Sequence, residues 1–166
     1  MPTEISGSTG VNKIQDGTVV AGDLAGSVAL GKVLQVVQGH ATAAVVASST
    51  SWAASTLSAT ITPSATSSKI LIDLTAWLQL NGSGVHGVFT IYRDSTNLGG
   101  SYGFGDYYGG SAGFTEITQA ASYLDSPSST SAITYKFYIR TQGSGTVTTG
   151  TTGSRVESIT LMEIAG

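Results

Sequence analysis

Between Ile70 and Leu80 the chain alternates without a break. Ile70, Ile72, Leu74, Ala76, Leu78 and Leu80 are apolar, and Leu71, Asp73, Thr75, Trp77 and Gln79 fall between them. A period of two sustained over that length excludes a helix and specifies a strand with one face buried. The second face carries Leu71 and Trp77, so it is not simply solvated. It is expected to meet another sheet, a loop or another subunit.

Several weaker segments repeat the pattern. Lys32 to Gln38, Leu57 to Thr62, Val85 to Arg93, Ala132 to Thr141 and Arg155 to Ile164 read as strands. Pro63 ends the second of these, because it cannot donate to a ladder. Ser64 to Ser68 is a loop. Asn81-Gly82 is a turn in which both residues tolerate positive φ. Asp94-Ser95-Thr96-Asn97 and Asp125-Ser126-Pro127-Ser128 are further turns. Gly99 to Gly113 reads as a Gly/Tyr/Phe loop, Phe114–Thr118 and Ala121–Leu124 as two short strands, and residues 142–154 as a hairpin or loop. Composition agrees: 22 Gly, 23 Ser and 23 Thr among 166 residues favour short strands and tight turns over helices. About eight strands and no amphipathic helix predict an all-β fold, an antiparallel β-sandwich of jelly-roll type.

Residues 1–32 differ from the rest. Ile5, Val11, Ile14, Val19, Val20, Leu24, Val28 and Leu30 stand alone between glycines, in neither heptad nor alternating order. Such a segment cannot build a core. It holds more apolar residues than a plain linker. The chain is therefore expected to divide into an extended N-terminal arm (1–32), suited to lying along a partner, and a β-domain (33–166).

Charge excludes several functions. Only 10% of the residues are charged, and the net charge is −3. The basic residues Lys13, Lys32, Lys69, Arg93, Lys136, Arg140 and Arg155 are scattered singly, so no cluster is available to displace counterions from nucleic acid. No apolar run reaches the roughly 20 residues that span a bilayer. The first residues carry no positive n-region and no apolar h-region, so no secretory signal is expected. Cysteine is absent, which removes disulfides and thiolate metal sites. A surface with so few charges does little to oppose association, and self-association is expected.

The residues offer no catalytic constellation and call for no cofactor. His40 and His86 lack neighbours at metal-ligand spacing. Gly109-Gly110-Ser111-Ala112-Gly113 matches the pattern of a hydrolase elbow but lacks the strand-to-helix setting that pattern needs. Asp106 and Glu116 are the two carboxylates nearest an aromatic segment, and a glycosidase needs such a pair about 5–9.5 Å apart. The segment itself, Tyr102-Gly103-Phe104-Gly105-Asp106-Tyr107-Tyr108, combines ring faces, hydroxyls and a carboxylate. Tyr102, Phe104, Asp106, Tyr107 and Tyr108 are suited to stacking on a sugar or packing into a protein partner. The alternative is that these rings fill the inside of a loop or a subunit axis.

The opening Gly7-Ser8-Thr9-Gly10-Val11-Asn12-Lys13-Ile14-Gln15-Asp16-Gly17-Thr18-Val19-Val20-Ala21-Gly22-Asp23-Leu24 resembles the starts of tailed-phage fibre and decoration proteins, particularly those of cyanophages and marine phages. Leu57 to Ile72, Phe89 to Thr96 and Val156 to Ile164 resemble the β-sandwich domain of the same proteins. The resemblance touches about half of the chain, through strand-and-turn patterns rather than chemical signatures. It implies a homotrimeric virion protein made in the host cytoplasm, with an attachment arm and a jelly-roll-like domain. It implies contact with the major capsid protein or another virion protein, on the capsid exterior or, alternatively, on the tail. A capsid decoration (cement) subunit is the first expectation, since long shaft repeats are absent. The other is a short tail-fibre or head-fibre tip that binds host-surface glycans.

Overall fold

The computed structural model describes residues 33–110, 113–150 and 155–166. The expected arm of residues 1–32, with Ile5 through Leu30, lies outside the described residues. Eleven strands follow one another: β1 (Val33–His40), β2 (Val45–Ala47), β3 (Ala53–Ile61), β4 (Lys69–Asn81), β5 (Val85–Arg93), β6 (Thr96–Asn97), β7 (Gly105–Gly109), β8 (Phe114–Asp125), β9 (Ile133–Gln142), β10 (Thr146–Thr149) and β11 (Ser158–Ile164). They form two antiparallel sheets. Sheet A runs β1-β11-β4-β8, with β10 and β2 continuing beside the far end of β4. Sheet B runs β3-β9-β5, and β6 and β7 share the outer edge of β5.

With the short strands β2, β6 and β10 set aside, the pairing is nested. The first long strand pairs with the last (β1 with β11), and the second with the second-last (β3 with β9). Inside these lie β4 with β8 and β5 with β7. A folded hairpin rolled into two facing sheets has this order, so the sandwich is a jelly roll.

β4 is the axis of the roll. It pairs over its whole length with β8 on one edge, and with β11 and then β10 on the other. Its alternating residues Ile70, Ile72, Leu78 and Leu80 are at most 1% exposed, and each contributes about 1.5–3 kcal/mol of transfer free energy. Tyr135, Phe137 and Ile139 of β9 meet them from sheet B.

Two sequence expectations change and one is refined. The turn expected at Asn81-Gly82 is a corner between sheets: β4 has both edges filled, so β5 leaves for the other sheet. Gly82 and Gly84, at φ 127° and 68°, make the corner. The two short strands around residues 114–124 are one strand, β8, paired in unbroken register from Phe114 to Asp125. Thr118-Gln119-Ala120 does not interrupt it, because Gln119 turns inward and is 2% exposed. The Gly/Tyr/Phe loop contains β7, and Gly105 there permits close approach, since a Cβ would lie 2.5 Å from the Phe89 ring.

Three carboxylates are buried where ladders end. On the inner face of sheet A, Glu163 and Asp125 flank Ile70 from β11 and β8. Asp125 accepts two bonds from Arg93 Nη1 at 2.9 and 3.0 Å and one from the Tyr135 hydroxyl at 2.7 Å. Both partners belong to sheet B, so this cluster ties the two sheets together. Burial, and then the Asp125 carboxylate, push the Tyr135 hydroxyl pKa far up. Glu163 accepts from Ser64 N and Oγ, Ser68 Oγ and Gln35 Nε2 at 2.6–2.7 Å. Burial alone raises its pKa, but these donors outweigh it and hold the carboxyl at about 2. The third carboxylate, Glu157, sits beside Trp77, between the ends of the β11 and β10 ladders. There its Oε1 accepts from Trp77 N at 3.3 Å and Gly150 N at 2.8 Å.

Asp125→Ala leaves the Tyr135 hydroxyl and Arg93 without their acceptor. The expected loss, read by urea denaturation, is about 3 kcal/mol, the low end for a buried pair because Arg93 remains 26% exposed. Glu163 has a depressed native pKa, so its contribution is full above the ordinary carboxyl value of 4.5 and disappears as pH falls from there through about 2. Glu163→Gln should therefore flatten the pH dependence of stability across that window. It should also lower stability at neutral pH by about 1–3 kcal/mol, because the amide sets donor against donor. An unchanged acid profile in denaturant titrations at pH 2.5 and 5 would contradict the assignment.

Candidate interaction surfaces

Two surfaces stand out, one on the outer side of each sheet. On sheet B, β7 lies along β5 and places Tyr108 opposite His86 and Asp106 opposite Val88. His86 Nδ1 lies 3.1 Å from Asp106 Oδ1, and its ring centroid is 4.9 Å from that of Tyr108. Both members of the ion pair are about 40% exposed, so solvent screens it and it adds little stability. On β9, the Arg140 guanidinium stacks over Trp52 at 4.7 Å and donates to the Ser101 carbonyl at 2.7 Å. It thereby pins the 3-10 turn Gly100–Tyr102. Tyr92 and Tyr138 pair at 4.1 Å on the same side.

The aromatic segment is thus split. Tyr102, Tyr107 and Tyr108 are exposed, at 77%, 39% and 63%. Asp106 is exposed and engaged by His86. Phe104 packs against the core, edge-on to Tyr123 at 5.3 Å. Tyr108 and Asp106 share the outer face of sheet B, Tyr107 points to the other side of β7, and Phe104 anchors the segment.

The chemical candidates separate. Asp106 is held by His86, whereas Glu116 on β8 pairs with Arg155 at 2.9 Å and Gln79 at 3.1 Å. The His40 ring's hydrogen-bond partner among the described residues is the Glu157 carbonyl, at 3.3 Å. Gly109 ends β7 and Gly113 directly precedes β8, a strand and not a helix, and Ser111 lies outside the described residues. No group of three His, Cys, Asp or Glu residues suited to a metal occurs among the described residues.

The outer side of sheet A is apolar at one end. The registers place Val36, Met162, Leu71 and Leu124 in one row across β1, β11, β4 and β8. Val36 is 59% and Leu124 49% exposed. Val33, Leu34 and Ile164 extend the patch beyond that row, and Val33 and Leu34 are half-exposed. The next row, Gln38, Thr160, Asp73 and Ser122, is polar and bounds it. Trp77, the other apolar residue on this side of β4, is roofed by Arg155 at 4.2 Å and is 9% exposed. Alternation in β4 marks Leu71 as outward. Its neighbours in the row come from three other strands, and only the pairing registers bring them together.

No protein family matches this chain, and no curated protein matches it. Among solved structures, one neighbour is the D431N mutant VP2 protein of infectious bursal disease virus, in derived T=1 particles. It shares 14% identity and a TM-score of 0.41, over 79% of this chain and 36% of that one. The chain spans about a third of that neighbour's length.

Proposed function

We propose that this chain is a virion structural protein without enzymatic activity, a homotrimeric decoration subunit on the exterior of a phage capsid. The observation that carries the reading is the nested jelly roll, joined at its N-terminal side to residues that resemble a phage attachment arm. Jelly rolls serve as capsid and lectin domains. Nothing in the described residues assembles a nucleophile, base and oxyanion site. In this reading residues 1–32, with Ile5, Val11, Ile14, Val19, Val20, Leu24, Val28 and Leu30, contact the major capsid protein or lace the subunits together. The added interface then resists internal pressure on the shell.

A second reading is favoured by one observation. Tyr108 is exposed and stacks beside the Asp106–His86 contact on the outer face of sheet B, with Tyr107 exposed on the other side of β7 and Tyr102 exposed in the turn that Arg140 pins. Rings with adjacent hydroxyls and a carboxylate suit a host glycan, as on a short fibre tip.

Quantitative mass spectrometry of purified particles separates the two readings. Hundreds of copies relative to the major capsid protein are expected for decoration, because only the icosahedral shell offers that many equivalent sites. A few dozen or fewer place the protein on the tail or at one vertex. Deleting residues 1–32 should abolish capsid binding. Tyr107→Ala with Tyr108→Ala should leave capsid binding intact if the rings serve only a receptor.

A further inference from the structure

We infer that the apolar end of sheet A's outer face is the contact between copies of this chain, and that the occupant of the Val36–Met162–Leu71–Leu124 row is a second copy. The inference rests on the proposed self-assembling virion subunit and locates the interface of that assembly.

The row is continuous across four strands, with both of its ends about half exposed. Scattered exposed apolar residues are ordinary, but a contiguous band with a polar border is the pattern of an interaction site. The bordering β8 edge reinforces this. β8 is paired only with β4 among the described residues, and its twelve residues run without a bulge, proline or lysine. A free edge is normally blunted by such devices or by charge, and the two charges of β8, Glu116 and the inward Asp125, are each engaged by an arginine. Leu124, at the end of this edge, is also the end of the apolar row.

Charge selects the occupant. On the outer side of β4, Lys69 and Asp73 bracket Leu71 with opposite signs. A strongly acidic or basic partner leaves one of these opposed by like charge. A second copy presents both signs and meets each with its opposite. The chain's few charges point the same way, since a surface with 10% charged residues carries little repulsion against itself.

The test uses the full chain in solution. Val36→Glu with Leu124→Glu places a carboxylate at each end of the row, at sites already half-exposed. Far-UV circular dichroism and thermal unfolding confirm that the domain still folds. Sedimentation velocity should show a multimer for the native chain and a single chain for the double variant. Lys69→Asp alone should weaken assembly, and Lys69→Asp with Asp73→Lys should restore it. Tyr107→Ala with Tyr108→Ala, on the opposite sheet, should leave the multimer intact. A multimer that survives the charged row overturns the inference and leaves the virion reading standing. A native chain that stays single up to about 100 μM overturns the inference and the proposed homotrimer together. A charged-row variant with native assembly that no longer binds particles assigns the face to another virion protein and overturns the second copy as its occupant.

Discussion

β4 is occupied on both edges and on its inner face. Both edges are hydrogen-bonded and its inner face is buried against sheet B. Its outer face is roofed at Trp77 by Arg155 and carries the apolar row at Leu71. This occupancy fixes the topology. Because β8 and β11 take the two edges, β5 cannot pair with the strand it follows and must cross to the second sheet. One layer out the crossing recurs without that exclusion: β1 pairs only with β11 among the described residues, yet β3, which follows it, pairs with β9 in the opposite sheet. A strand filled on both edges turns a long antiparallel hairpin into a roll instead of a flat meander.

The buried carboxylates belong to the same constraint. A roll leaves backbone donors wherever a ladder stops, and buried donors without partners cost about 1–3 kcal/mol each. Glu157 supplies an acceptor to Trp77 N between the β11 and β10 ladders, and Glu163 gathers the loop that follows β3. This use of acidic residues changes the surface. Of the seven Asp and Glu residues among those described, Asp125, Glu157 and Glu163 are buried. Arg93, Arg140 and Arg155 are each committed to a carboxylate, an aromatic ring or both. The charge left free to repel a neighbour is smaller than the composition suggests.

The sequence was informative where one physical signal dominated. Strict alternation located β4 and β9 to within two residues, and Val85–Arg93 emerged with its bounds as read. Signals failed where two requirements competed. β7 has glycines at both ends because Gly105 must clear Phe89, and those glycines read as a loop. β8 combines small and polar residues because its inward positions include Gln119 and Asp125, so its period was interrupted. The exposed tyrosines were legible as a group, but the inward turn of Phe104 was not, since it depends on Tyr123 from β8. The apolar row was visible only as Leu71. Its other members are more than thirty positions away in the chain, and register across strands cannot be read from a single sequence.

The two outer faces differ in kind. Sheet B's aromatic residues are largely satisfied by one another: Arg140 with Trp52, Tyr92 with Tyr138, His86 with Tyr108 and Asp106. Such a face tolerates water, because its rings are partly covered and its polar tips are wet. Sheet A's row has no such internal satisfaction. Valine, leucine and methionine offer water nothing, and the charges beside them bracket the row without covering it. In a domain that otherwise roofs Trp77 with an arginine and buries three carboxylates, a row left uncovered by the described residues is a local inconsistency. Such inconsistencies are where function is expected, because a sequence that specifies one fold departs from local rules chiefly at functional or strained sites.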